Sequence, residues 1–124
     1  MPRILLIDDD NAFRTMLRLT LTHFGYEVIE ARNGLEGLGK YNSGGADLVI
    51  TDIVMPEKEG LEVLMELGHH RPPVKVIAMS GGGRVSAANY LQSASLLGAA
   101  RVLGKPFSNQ DLLAAINEVL ASGT

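Results

Sequence analysis

The chain has 124 residues, 46% of them apolar and 20% charged, with a formal net charge of −3 and no cysteine. That length suits one domain with a real core, and that composition excludes a disordered chain. It also excludes a disulfide framework, thiolate chemistry and the basic stripe expected of a nucleic-acid or membrane-surface binder.

The opening MPRILLIDDD holds too short an apolar run for a signal segment or a membrane span, so the cytoplasm is the default location. Residues 4–7 are continuously apolar, as expected of a strand covered on both faces, and Asp8, Asp9 and Asp10 follow at once. Phe13, Leu17, Leu21 and Phe24 then recur at helical spacing, with Asp10 or Asn11 available as the cap and Gly25 beyond the end. A second strand is predicted over 27–31. The helix predicted next, over 33–42, is expected to be irregular, because Gly37 and Gly39 each cost about 1 kcal/mol relative to Ala.

A third strand, residues 48–51, delivers Asp52 at its end, with Thr51 beside it read as packing. The fourth, 74–79, is followed by Ser80 and three glycines, which are not a nucleotide P-loop because no Gly-Lys-Ser/Thr follows. Val85, Ala88, Leu91 and Ala94 predict a helix, and a short strand over 101–103 precedes Lys105 and Pro106. Ser108 caps a last helix whose stripe is Leu112, Ile116, Val119 and Leu120. His23, His69 and His70 fall on or just after helices and are read as solvated.

Strict alternation of strands and helices predicts a three-layer, doubly wound α/β domain with a five-stranded parallel sheet. Such folds collect their chemistry at the carboxyl edge of the strands, near the point where strand order reverses. Asp8, Asp9, Asp52, Ser80 and Lys105 would converge there. Crowded carboxylates resist ionising together unless a cation sits among them, and an all-oxygen donor set suits Mg²⁺. A carboxylate can attack a phosphoryl group while a lysine takes up the charge of its oxygens. The Ser80 hydroxyl and the amides of Gly81 and Gly82 would receive the transferred phosphate.

The order LLIDDD, DIVMPEKEG, AMSGG and GKPF, spread over residues 3 to 121, resembles the response-regulator receiver domain of two-component signalling, the CheY-like family. The resemblance implies the flavodoxin/CheY-like strand order 2-1-3-4-5 and a single receiver domain over 1–124. It assigns Asp52 as phosphoacceptor, Asp8, Asp9, Asp52 and the backbone carbonyl of Val54 as Mg²⁺ ligands, Ser80 as the switch hydroxyl and Lys105 as the phosphate's partner, with a cis Lys105–Pro106 bond. The expected partners are a histidine kinase or histidine phosphotransfer protein and a downstream protein. No nucleic acid or membrane is expected among them. The expected docking face is formed by the helix before the fifth strand, that strand and the last helix, with Ala87, Tyr90, Ala94 and Leu97 as its apolar line.

Two departures from the family pattern bear on mechanism. Val102 stands where many receivers carry an aromatic that moves with the switch hydroxyl. Val54 and Gly82 offer no side chain to position an attacking water, so a phosphorylated form that is not among the shortest-lived is expected. With only residues 121–124 after the last stripe, no output domain is expected in this sequence, and no enzyme beyond promotion of its own phosphorylation and dephosphorylation. A Mg²⁺-dependent aspartyl-phosphate phosphohydrolase, with its nucleophile after strand one, would need a hydroxyl residue and a cap that are missing here. A flavin carrier would need a Ser/Thr-rich phosphate loop where three acids stand. The remaining alternative is a receiver acting constitutively as a binding module.

Overall fold

A computed structural model of the chain describes residues 2–53, 60–70, 74–81, 98–105 and 107–121. The elements run β1 (Arg3–Ile7), α1 (Asn11–His23), β2 (Glu27–Ala31), α2 (Gly34–Gly44), β3 (Leu48–Asp52), α3 (Gly60–Gly68), β4 (Val76–Gly81), β5 (Arg101–Lys105) and a C-terminal helix (Asn109–Ala121). All four strand pairings are parallel, in the order β2-β1-β3-β4-β5. The helix expected from Val85, Ala88, Leu91 and Ala94 and the apolar line of Ala87, Tyr90, Ala94 and Leu97 lie outside the described residues.

Strand alternation divides the core into two layers. Ile4, Leu6, Leu48, Ile50, Ile77 and Met79 face one way and pack with Leu17 and Leu21 of α1 and with Leu112, Ala115, Ile116 and Val119 of the C-terminal helix. Leu5, Ile7, Val49, Val76 and Ala78 face the other way and pack with Leu38 of α2 and with Val63, Leu64 and Leu67 of α3. Being covered on both faces explains why β1, β3 and β4 read as continuous apolar runs. β2 forms one edge of the sheet, opposite β5, and is only half-buried along most of its length.

The helix ends follow their local chemistry. The Asp10 carboxylate accepts from the Phe13 amide at 3.0 Å, so Asp10, and not Asn11, is the cap of α1. At the other end Gly25 takes φ +94°, and its amide and that of Tyr26 donate to the carbonyls of Thr22 and Leu21, the paired bonds of a Schellman motif. Ser108 caps the C-terminal helix through the Asp111 amide at 3.0 Å.

Several expectations need revision. α2 is continuous over eleven residues rather than irregular. Its Gly37 is required by proximity, since a Cβ there would lie 2.4 Å from Ile7 Cδ1, whereas Gly39 has open space. Phe24, expected on the core stripe of α1, is 52% exposed, because it sits at the cap where the chain turns away. His70 is not simply solvated; its ring is half-buried and meets Tyr41 edge-on at 5.1 Å.

Candidate functional site

The site is built by strand endings. Asp52 is the last residue of β3 and Lys105 the last of β5, while Asp8 follows β1; each strand runs as far as its functional group or one residue short of it. β1 and β3 are neighbours, with β2 continuing one way and β4 and β5 the other, so Asp8 and Asp52 flank the point where strand order reverses. Lys105 starts two strands away from Asp52. Its side chain reaches past the intervening β4 to the end of β3.

Lys105 Nζ lies 2.9 Å from Asp8 Oδ2 and 3.2 Å from Asp52 Oδ2, bridging the two acids. The Asp8 side chain is fully buried, and those of Asp52 and Lys105 are 11% and 16% exposed. Nζ also sits 4.1 Å from the centre of the Phe13 ring, a cation–π contact, and Phe13 meets Phe107 edge-on at 5.9 Å. Burial opposes the charged form of Lys105, but its hydrogen bond to Asp8 and the charges of Asp52 and Asp8 outweigh that, so its pKa is raised above the ordinary lysine value.

Asp8 is held at every polar atom. Its amide donates to the Ala31 carbonyl at 3.1 Å, its carbonyl accepts from Arg14 Nη1 at 2.7 Å, and Oδ1 accepts from the Asp10 amide at 2.9 Å. Asp9, by contrast, is exposed. One carboxylate oxygen from each of Asp8, Asp9 and Asp52 lies within 4.8 Å of the others. Adjacent corners of a Mg²⁺ octahedron are about 3 Å apart and opposite corners about 4 Å, so the three oxygens would draw together to close on that ion. The residues present fit a hard divalent cation.

Ser80 is buried at the end of β4, in register with Gly104 and so beside the strand position of Lys105. Thr51 is buried too; its hydroxyl donates to the Asp52 carbonyl at 3.0 Å, which agrees with a packing role. Val102 is paired with Ala78 and packs into the layer shared with α2 and α3. The Val54 carbonyl, Gly82 and the Lys105–Pro106 bond lie outside the described residues. Two contributors escaped the sequence reading. Phe13 was placed in the core, not under a lysine. Arg14 could have been found from its spacing, since residues 14, 17 and 21 share the inward face of α1.

Comparisons with known proteins point to one family. The family model described as the response regulator receiver domain matches residues 4–117. The chain is 36% identical to the chemotaxis protein CheY of Bacillus subtilis over 119 residues, 95% of this chain and 97% of that one. It is 35% identical over 121 residues to the DNA-binding transcriptional regulator NtrC of Azospirillum brasilense, covering 98% of this chain but 24% of that protein. The chain thus spans about a quarter of the length of the transcriptional regulators it matches. Among solved structures, a receiver domain protein from Clostridium thermocellum superposes with a TM-score of 0.88 at 34% identity, covering 97% of this chain and 94% of that one. No helix among the described residues is long and apolar enough to cross a membrane. With matching fold, strand order and family pattern, the chain belongs to the response regulator receiver domain family of two-component signalling.

Proposed function

We propose that the chain is a phosphorelay module in which Asp52 accepts a phosphoryl group from a phosphohistidine donor, and that the adduct signals by changing which partner the domain binds. The observation that carries this reading is the bridging of Asp8 and Asp52 by Lys105, with an Asp9 oxygen within 4.8 Å of the same acids. An Asp52 oxygen attacks phosphorus, the P–N bond to the donor imidazole breaks, and its electron pair stays on the ring nitrogen, which takes up a proton. Asp8, Asp9 and Asp52, with the Val54 carbonyl that the family pattern adds, would hold Mg²⁺, which when bound would supply charge stabilisation to the phosphoryl oxygens.

The chain's own groups share the remaining work. Lys105 is already charged and shielded from water, so it meets the phosphoryl oxygens without first being protonated. Ser80 supplies a hydroxyl from the neighbouring strand. The added charge, roughly −1.5 to −2 in place of one carboxylate charge, draws both inward and biases an equilibrium between two conformations. The donor is a histidine kinase or histidine phosphotransfer protein. The receiving partner is a downstream protein, docked on the face that includes β5 and the C-terminal helix.

The test is labelling by a radiolabelled phosphohistidine donor, with and without Mg²⁺. The wild type is expected to take up about one phosphoryl group per chain, and Asp52→Asn none while retaining its circular dichroism spectrum. Undiminished labelling of Asp52→Asn would reject the assignment. Continuous phosphate release from small esters would instead favour a phosphohydrolase.

A further inference from the structure

We infer that Arg14 is a positioning residue for the cation site, locking the turn that carries Asp8 and Asp9 through the main chain; this rests on reading Asp8, Asp9 and Asp52 as cation ligands. Arg14 is only 8% exposed. Its guanidinium makes three directed bonds: Nη1 to the Asp8 carbonyl at 2.7 Å, Nη2 to Asn11 Oδ1 at 2.8 Å and Nε to Glu30 Oε1 at 3.0 Å. Glu30, on β2, has its other oxygen taken by Arg18 Nε at 2.9 Å. One side chain thus ties together the end of β1, the first turn of α1 and the edge strand.

Packing alone does not account for a guanidinium here. Burying a charge carries a heavy desolvation cost, and an apolar side chain of similar volume often serves a core at least as well. What only a planar fork supplies is simultaneous, directional hold on a carbonyl, an amide oxygen and a carboxylate. The need for it follows from the rest of Asp8. Its carboxylate is held by Lys105 and the Asp10 amide, and a cation entering among the acids competes for the same oxygens. The carbonyl bond to Arg14 faces no such competition, so it keeps Asp8 and Asp9 in place while the side-chain contacts rearrange.

Charge alone would predict the reverse effect. A cationic group beside a cation site weakens binding, so its removal would tighten it; a positioning role predicts that its removal loosens it. Arg14→Lys separates the two, because it keeps the charge and loses the fork. Mg²⁺ dissociation constants measured by titration calorimetry on the full chain are expected to rise about 10- to 100-fold in Arg14→Lys, the usual cost of losing a group that orients a metal ligand. Asn11→Ala removes one anchor of the fork from an exposed position and is expected to weaken binding by a smaller factor of roughly 2 to 5, in keeping with a partial loss of that kind. This second variant covers the case in which Arg14→Lys fails to fold. Asp9→Ala serves as the ligand-loss control. If the wild type binds no Mg²⁺, both the ligand reading and this inference fall. If the wild type binds and Asp9→Ala does not, while Arg14→Lys and Asn11→Ala keep wild-type affinity or gain it, the inference alone is overturned. A lowered melting temperature with unchanged Mg²⁺ affinity likewise overturns it, because Arg14 would then be structural only.

Discussion

At Lys105 two opposing effects meet, and their balance is visible in the raised pKa. Burial favours the neutral amine, while Asp8 and Asp52 on either side favour the ammonium. A free lysine titrates near about 10.4, so the stabilisation from this ion pair is complete below that pH and is lost as pH rises through the higher folded value. Replacing Lys105 by Met leaves the buried Asp8 and Asp52 carboxylates without the ammonium that bridges them. Chemical denaturation at pH 7 without Mg²⁺ is expected to show a loss of about 2–4 kcal/mol, near the cost of breaking a buried pair. The gap between wild type and variant should narrow above pH 11, since only the wild type has this ammonium to lose. A gap that is constant from pH 8 to 12 would show that the ion pair contributes nothing. Asp52, Asp8 and Lys105 were legible from their places after predicted strands. The ring of Phe13 beneath the ammonium was not, because a phenylalanine on an inward helical stripe looks the same whether it meets a leucine or a lysine.

Among the elements, α2 shows how one residue type serves two purposes. Helix propensity treats Gly37 and Gly39 alike, at about 1 kcal/mol each relative to Ala. The tertiary contacts separate them: Gly37 lets α2 approach β1 against the fully buried Ile7, whereas a Cβ on Gly39 would meet nothing within 4 Å. Gly39→Ala is therefore expected to stabilise by about 0.5–1 kcal/mol. Gly37→Ala should destabilise by about 1–3 kcal/mol, because the strain of overpacking exceeds the gain in propensity. Urea midpoints at constant m-value check both, and equal shifts of the same sign would contradict the packing account. Strand boundaries moved for a related reason. β3, β4 and β5 extend one or two residues beyond their apolar runs, because pairing to a neighbour, and not side-chain hydropathy, decides where a strand ends.

For the whole molecule, an acid cluster at the sheet edge makes stability depend on cations. A ligand that binds only the folded state adds about 2.7 kcal/mol at a hundredfold excess over its Kd. For a domain of this size that corresponds to a rise in Tm on the order of 10 °C. Thermal unfolding in saturating Mg²⁺ is expected to show such a rise, reversed by a chelator and absent in Asp9→Ala. An equal rise from added NaCl at matched ionic strength would reduce the effect to screening. Beryllofluoride, a phosphoryl mimic, is expected to raise Tm further in wild type with Mg²⁺ but not in Asp52→Asn.

The amino-acid order by itself determined the layered parallel sheet, the sequence of its elements and the set of charged groups at one edge. Continuous apolar runs, helical spacing and capping residues are local signals, and each survives being read without its neighbours. Only the tertiary structure decided that Lys105 spans β4 to reach both acids, that Arg14 spends its buried charge on the Asp8 carbonyl, and that a side chain at Gly37 would crowd Ile7 where one at Gly39 would meet nothing. Each of these is a contact between residues far apart in the chain or on separate elements, set by strand order and register, and no spacing along one segment contains it.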